Sequence, residues 1–151
     1  MADALLRLDD FLPFRLSITS NLVSETIASA YQALFGLSIP EWRVVAVIAE
    51  DEGITQQAVG ARTRMDKVTV SRAAIALTGR GLIERRLNPD DRRSQRLHLT
   101  TSGHQLYAQI APKALDLERR ILARFSAAEI ATFTSLLARM DEATLAVVAD
   151  G

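Results

Sequence analysis

Apolar residues recur at helical spacing in the first and last thirds of the chain, and the spacing changes in the middle. Between Asp10 and Phe35 the apolar positions fall three or four residues apart, with Pro13 in the opening turn and Gly36 directly after the last one. This pattern predicts one long helix over residues 10–35. Its apolar positions are Phe11, Phe14, Ile18, Leu22, Ile27, Tyr31, Leu34 and Phe35.

A capping signal marks the start of the next helix. Ser38 stands three residues before Glu41, which is the spacing of a capping box, and Pro40 suits a first helical turn. A helix is therefore predicted over residues 40–50. The side chains expected to face a core are Trp42, Val45, Val47, Ile48 and Ala49.

Two further caps predict a helix-turn-helix. Thr55 can cap a short helix over residues 56–63, and after a brief turn Asp66 can cap a longer one that ends at Gly81. The second helix presents hydroxyl and basic side chains in its first two turns, as the recognition helix of a helix-turn-helix does. The inward positions expected on it are Val68, Ala74 or Ile75, and Leu77 or Thr78.

Residues 82–87 and 94–100 alternate with a period of two, which predicts a β-hairpin. The connecting segment begins with the turn signal Asn88-Pro89-Asp90. A hairpin directly after a helix-turn-helix is the wing of a winged-helix fold. The charged stretch "NPDDRRSQR" would then form the tip of that wing.

Two long helices are predicted after the hairpin. One is capped by Thr100 or Thr101, runs to about Phe125 and should bend at Pro112, and the capping box of Ser126 and Glu129 opens the last one. The first and last helices of the chain carry more apolar positions than a small wing domain can cover. An intramolecular bundle could cover them, but a two-fold dimer interface fits better.

Composition removes several mechanisms. The chain of 151 residues is 48% hydrophobic, enough for a substantial core, and it has no cysteine, which excludes disulfides, thiolate metal sites and thiol oxidation. The N-terminal "MADALLRLDD" lacks the basic start of a signal peptide, and no apolar run approaches the roughly 20 residues that span a bilayer. We expect a cytoplasmic protein without a membrane partner.

Charge is concentrated although the chain is neutral overall. Residues 62–96 hold ten basic and four acidic side chains, a net charge of +6. Such a block suggests an anionic partner, with nucleic acid first. A solvated surface remains an equal alternative on charge alone.

From about residue 10 to 145 the chain resembles the MarR family of bacterial transcription regulators. The resemblance rests on "LSIPEWRVVAVI", on "TQQAVGARTRMDKVTVSRAAIALTGRGLIER" and on the wing "DDRRSQRLHLTTSG", in which Asp91 and Arg93 hold the Asp-x-Arg positions and Gly103 closes Leu-Thr-x-x-Gly. The sequence departs from the family at Arg64-Met65, where many members have a glycine-containing turn.

The resemblance implies a mainly helical fold with a small β-hairpin wing, formed by a single MarR-type chain over residues 1–151. A winged helix-turn-helix over residues 37–100 would lie between dimerisation helices at 1–36 and 101–151. It also implies a homodimer that binds a pseudo-palindromic operator in double-stranded DNA, that is expected to act as a repressor, and that is released by a small aromatic or phenolic effector. Tyr31, Phe35 and Trp42 either line a pocket for that effector or pack in the core.

Nine residues are candidates for DNA contact. The recognition helix would contact base edges and phosphates, and the helix and turn before it would contact phosphates. Arg93 in the wing would enter the minor groove. Asp91 is expected to orient the wing by holding an arginine, either Arg92 or one on the neighbouring helix. The candidates are Arg62, Arg64, Lys67, Thr69, Ser71, Arg72, Arg92, Arg93 and Arg96, and Arg85 and Arg86 can add phosphate contacts.

Catalysis is not expected. Asp90 and Asp91 are adjacent and point apart, His98 and His104 straddle a strand end and a helix, and no phosphate loop or nucleophile motif is present, so no cofactor or metal is predicted. A winged helix that serves only as a protein interaction module stays open as an alternative, since a fold does not fix a function.

Overall fold

Seven α-helices and a small antiparallel sheet make up the computed structural model, which describes residues 4–151. The chain divides into two units, Met1–Leu115 and Asp116–Gly151. After a 3-10 turn at Leu8–Asp10, the helices are α1 (Leu12–Ala28), α2 (Gln32–Phe35), α3 (Ile39–Glu50), α4 (Gln56–Thr63), α5 (Lys67–Gly79), α6 (Thr101–Leu122) and α7 (Ala127–Asp150). The strands are β1 (Ile54–Thr55), β2 (Ile83–Leu87) and β3 (Gln95–Leu99).

The prediction of one continuous helix over residues 10–35 is wrong, because the chain breaks between α1 and α2. The Ser29 hydroxyl donates to the carbonyl of Thr26 at 2.6 Å, and such side-chain bonds compete with the main-chain bonds that would continue a helix. The break lets the Tyr31 ring become buried and stack on Trp42, with 5.4 Å between the ring centroids. Gly36 ends α2 with φ at 64°, in the left-handed region that favours glycine.

The predicted caps of the middle helices are confirmed. Ser38 and Glu41 form both bonds of the capping box at the start of α3, and the Thr55 hydroxyl accepts the main-chain N–H of Ala58 at the start of α4. Together α4 and α5 form the helix-turn-helix. The first unit's core includes Val44, Val45 and Ile48 of α3, Val59 of α4, Val70 and Leu77 of α5, Leu97 of β3 and Ile110 of α6.

The inward positions of α5 differ from the prediction at Val68, while the alternatives Ala74 or Ile75 and Leu77 or Thr78 are decided in favour of Ala74 and Leu77. Val70, Ala73, Ala74 and Leu77 are buried, whereas Val68, expected to face inward, is 58% exposed and Ile75 is 63% exposed. The cause is the phase of the helix. Its buried stripe is centred on Val70 and Leu77, and Val68 lies on the opposite side.

The predicted hairpin is confirmed as β2 and β3, with Ile83 opposite Leu99 and Leu87 opposite Gln95. A third strand, β1, pairs with the other edge of β3, so that the sheet order is β1-β3-β2. The sequence did not predict β1 because two residues are too short to show a period. The sheet holds the wing against α3 and α5, and the tip at residues 88–94 projects from it.

The last two helices keep their predicted starts. The Thr100 hydroxyl accepts the N–H of Gly103 at the start of α6, and Ser126 and Glu129 form a second capping box. Helix α6 ends at Leu122 rather than near Phe125. In residues 4–151 no single helix is long and apolar enough to cross a membrane, although α6 and α7 taken as one bent pair reach the required length and composition.

Candidate nucleic-acid interface

A groove of about 730 Å³ lies between α4, the start of α5 and the wing. Gln56 and Gln57 line it from α4, and Lys67 lines it from α5. The wing contributes Arg85, Arg92 and Arg93, and every charged residue that lines the groove is a cation. We call this surface the basic groove. It attracts a polyanion by charge and presents amide groups that can bind phosphate or base edges.

The start of α5 is fixed by Asp66. Its carboxylate accepts the main-chain N–H of Thr69 at 2.7 Å and the Thr69 hydroxyl at 2.9 Å. These hydrogen bonds, first the one from the main chain, hold the pKa of the Asp66 carboxyl below its ordinary value. Asp66 is therefore the N-cap that the sequence predicted. The Thr69 hydroxyl donates its proton to the Asp66 carboxylate, so it can only accept a hydrogen bond from a ligand.

The other candidates on α5 point in different directions. Lys67 lines the basic groove, and Arg72 is exposed on the side of α5 opposite the buried stripe. Ser71 is half-buried. Among the candidates on α5, Lys67 and Arg72 are thus the ones exposed to a ligand, and Val68 lies between them along the chain.

The turn before α5 contains the departure from the family pattern. Arg64 has φ at 57°, and no other non-glycine residue among residues 4–151 has a positive φ. This is the conformation that the glycine of a glycine-containing turn would adopt without strain. Arg64 therefore takes a left-handed conformation that glycine would adopt more easily, and it adds an exposed cation to the turn.

Hydrogen bonds within the tip shape the wing. The Asn88 side chain accepts the N–H of Asp90 at 3.0 Å and donates to the Ser94 hydroxyl at 2.9 Å. Asp91 accepts the main-chain N–H of Arg93 at 2.9 Å. These are turns closed by short polar side chains, and they present Arg92 and Arg93 to the basic groove.

Asp91 acts differently from the expectation that it would hold a guanidinium. It bonds the main chain of Arg93, while the arginine held at the tip is Arg96, which donates to Asp90 at 3.1 Å. The reason is local. The Asp91 carboxylate accepts the N–H two residues ahead in an Asx turn, whereas the Asp90 carboxylate lies within hydrogen-bonding distance of the Arg96 side chain of β3.

The ten cations of residues 62–96 fall into three groups, of which the first is held in ion pairs. Arg62 pairs with Glu50, Arg86 with Glu84, and Arg96 with Asp90. The bond from Arg62 lowers the pKa of the Glu50 carboxyl. Within residues 4–151 no ion pair holds the other candidates, which are Arg64, Lys67, Arg72, Arg92 and Arg93.

Two cations of the same block bind neutral partners. Arg80, at the end of α5, donates to the carbonyls of Phe35 and Gly36 at 2.7 and 3.3 Å. Arg85 donates to the Gln56 side chain at 3.0 Å. Arg80 thus ties the recognition helix to the end of α2, and Arg85 holds a wall of the basic groove.

Sequence reasoning missed two features of this surface. Gln57 lines the groove, and its position two residues after the Thr55 cap was the only signal that could have pointed to it. Val68 lies exposed on α5, and its place was misjudged because its neighbours allow more than one apolar stripe.

The two histidines serve a structural contact. Glu52 lies 3.2 Å from His98 Nδ1 and 2.9 Å from His104 Nε2, and it accepts the main-chain N–H of Leu99. In the part of the chain from residue 4 onward, no group of three histidine, aspartate or glutamate side chains has the geometry of a metal site. Glu52 joins the loop before β1 to β3 and α6.

Comparison with known proteins agrees with this architecture. A model described as "MarR family" matches residues 35–94, which contain α3, the helix-turn-helix and the wing tip. The putative transcriptional regulatory protein for the hcr operon of Thauera aromatica is 33% identical over 97 residues, which are 64% of this chain and 58% of that protein. The chain thus spans little more than half the length of that relative.

Two solved structures share the fold. A MarR/EmrR family transcriptional regulator from Acinetobacter sp. ADP1 superposes with a TM-score of 0.83 at 24% identity, covering 92% of this chain and 98% of that one. The PcaV transcriptional regulator from Streptomyces coelicolor, solved with its natural ligand, gives 0.76 at 25% identity, with coverages of 94% and 99%.

A helix-turn-helix with a wing and a cationic groove is the architecture of a DNA-binding regulator, and the relatives are named as transcriptional regulators rather than enzymes. The chain belongs to the MarR family of winged-helix regulators.

Proposed function

We propose that this protein is a homodimeric repressor that binds a pseudo-palindromic operator in double-stranded DNA. The observation that carries the proposal is the basic groove together with five candidate cations on α5, the turn before it and the wing tip. These form no ion pair within residues 4–151: Arg64, Lys67, Arg72, Arg92 and Arg93. Counterions that condense on DNA are released when such cations meet phosphates, which drives binding. This role would place the protein in the cytoplasm.

The recognition helix has the dimensions for a major groove. Its 13 residues extend about 20 Å at about 1.5 Å per residue. Arg72 is exposed and can pair with guanine or a phosphate, and Lys67 and Arg64 can bind phosphates on either side. Ser71 and Thr69 would add hydroxyl contacts, Thr69 as an acceptor only because its proton is bound to Asp66.

The wing would hold the DNA from a second side. Arg92 and Arg93 face the basic groove, and Arg93 is the residue proposed to enter the minor groove, where a narrow A·T tract concentrates negative potential. Asp91 would orient it through the main chain. Arg62 and Arg96 already have carboxylate partners, so we assign them weaker phosphate contacts than Arg92 and Arg93.

Dimerisation is proposed for the terminal helices, residues 1–36 and 101–151, around a winged helix-turn-helix at 37–100. In the second unit, every residue of α7 except Ile130 is exposed, including large apolar side chains that would normally be buried. These include Phe133, Leu136, Leu137 and Met140. In the first unit Leu12, Leu16 and Leu22 of α1 are also exposed. Burial of such side chains between two copies would stabilise a two-fold dimer.

Release by a small aromatic effector completes the proposal. The PcaV regulator was solved with a natural ligand, and an effector of this chain would be sought beside its aromatic rings. Trp42 stacks between Tyr31 and Tyr107, and the Lys113 ammonium lies 5.5 Å from the centre of the Phe35 ring. Arg80 could then relay a change at the end of α2 to the recognition helix, because it bonds both.

The test is binding of the purified protein to DNA from upstream of its own gene, with and without benzoate as an aromatic probe. We expect a protected palindromic site, tight binding relative to a scrambled duplex, and one dimer per site by analytical ultracentrifugation. Binding that does not discriminate between the two duplexes, or no binding at all, would favour the protein interaction module instead.

A further inference from the structure

The outward side of α5 carries an unexpected ridge. Val68, Arg72 and Ile75 are spaced four and three residues apart, which places them along one line of a helix. The buried side chains Val70, Ala73, Ala74 and Leu77 lie on the opposite side. Val68 and Ile75 are 58% and 63% exposed, so two large apolar side chains flank the arginine on the part of the helix farthest from the core.

Neither packing nor capping accounts for Val68. It is the second residue of α5, directly after Lys67, which lines the basic groove. The exposed cations nearest to it along the chain are Arg64, Lys67 and Arg72, and they attract DNA rather than an apolar protein surface. An apolar side chain at this position would therefore meet base edges in a major groove.

The major groove offers one apolar group to such a side chain, the 5-methyl group of a pyrimidine. Thymine carries it, and 5-methylcytosine carries the same group at the same place. Valine suits this contact because its χ1 angle is nearly fixed in a helix, so its two methyl groups are held in place before binding. Arg72, about 6 Å farther along the axis at about 1.5 Å per residue, would reach a base pair about two steps away.

We propose that Val68 is a specificity-determining residue that contacts the 5-methyl group of a pyrimidine in each half of the operator. The proposal rests on the proposed function, since it requires the recognition helix to enter a major groove. It adds a preference for a pyrimidine methyl group, which neither phosphate contacts nor an Arg72–guanine pair would produce.

The experiment removes the methyl group from the DNA and the contact from the protein. In the operator found by footprinting, each thymine is replaced in turn by deoxyuridine, symmetrically in both halves. Binding is then measured for the wild type and for Val68→Ala. At one thymine pair the wild type should lose roughly fourfold in affinity per half-site, as expected for one methyl group left in water. Val68→Ala should bind the thymine operator more weakly and lose nothing further at that pair.

Ile75→Ala is the matched control, because it removes a similarly exposed apolar side chain from the same ridge two turns away. It should keep the full loss at the pair assigned to Val68. Both variants change exposed positions, so their unfolding temperatures should match the wild type. If no thymine pair shows a response that depends on Val68, the contact does not exist.

A further arm distinguishes the two sources of the methyl group. At the thymine position assigned to Val68, an operator that carries cytosine instead should bind the wild type more weakly, and replacing that cytosine with 5-methylcytosine should tighten binding of the wild type and leave Val68→Ala unchanged. Operator binding without any such dependence overturns the contact and leaves the proposed function standing. Failure of the wild type to bind duplex DNA at all overturns both.

Discussion

Replacing Gly103 with alanine is expected to destabilise the protein, although alanine is the better helix former. Gly103 lies buried in the first turn of α6. A Cβ built on it would lie 2.0 Å from the carbonyl oxygen of Leu82 and 3.3 Å from Cβ of Leu99. The family pattern Leu-Thr-x-x-Gly thus has a physical reason at this position, because α6 approaches the beginning of the wing too closely for any side chain.

The size of the effect follows from the contacts around Leu82. An ordinary contact begins at 3.4 Å, so the helix and the wing would have to separate by about 1.4 Å. That shift would break the bond from Thr100 N–H to Leu82 O, now 3.1 Å, and the bond from the Thr100 hydroxyl to Gly81 O, now 2.6 Å. Two lost bonds and the overpacking cost about 3–5 kcal/mol, and helix propensity returns about 1 kcal/mol.

We therefore expect Gly103→Ala to lower the free energy of unfolding by about 2–4 kcal/mol, measured by urea denaturation at one fixed protein concentration. Gly79→Ala is the control, since nothing lies within 4 Å of a Cβ there, and it should be neutral or stabilising by up to about 1 kcal/mol. If Gly103→Ala were as stable as Gly79→Ala, the close approach of α6 to the wing would be refuted.

Three further substitutions test the turn, the cap and the sheet. Arg64→Gly should raise the free energy of unfolding by about 1 kcal/mol by removing the cost of a left-handed side-chain residue, and it should weaken DNA binding because a cation is lost. Asp66→Asn keeps the cap but removes its charge. A carboxyl whose folded pKa is lowered contributes stability above its unfolded pKa, and that stability is lost as the pH falls through the folded pKa. The wild type should therefore unfold at a higher temperature than Asp66→Asn near neutral pH, and this difference should decrease below about pH 3.8. Glu52→Ala should cost about 1–2 kcal/mol in a urea titration, because the main-chain N–H of Leu99 loses its acceptor.

Each of these has an outcome that would count against it. Equal stability of Arg64→Gly and the wild type would mean that the turn relaxes without cost. If the difference in unfolding temperature between the wild type and Asp66→Asn did not change with pH, the charge of Asp66 would not contribute to the cap. Glu52→Gln retains an acceptor for Leu99, so a loss as large as that of Glu52→Ala would show that the hydrogen bond is not the cause.

Most of the fold could be predicted from signals that are local in the sequence. The capping boxes at Ser38 and Ser126, the caps at Thr55 and Asp66 and the period-two strands of the hairpin depend on residues only three or four positions apart. The sequence therefore predicted where most helices begin and where the wing lies. The break after Ala28 was missed because the helical spacing of apolar residues continues through it to Phe35, and the stacking of Tyr31 on Trp42 that the break allows involves another element.

The residue types of the site could be predicted from the sequence, but the ion pairs that its side chains form could not. The cations of the recognition helix and wing stand out in the sequence, but nothing local shows that Arg62 pairs with Glu50, or that Asp90 rather than Asp91 holds an arginine. Those choices depend on which elements meet in space. The exposure of Val68 was missed for a related reason, since the core that selects the buried side of α5 comes from α3 and the sheet.

The salt dependence of operator binding tests the central claim most directly. Affinity should fall with rising salt by about 0.9 log units per log unit of salt for each phosphate neutralised. Arg93→Ala should weaken binding by roughly 1–3 kcal/mol and make that slope shallower, while Arg124→Ala, which removes an exposed arginine from the turn after α6, should change neither. A flat response for the wild type, or an unchanged slope for Arg93→Ala, would contradict binding of DNA by the basic groove and wing.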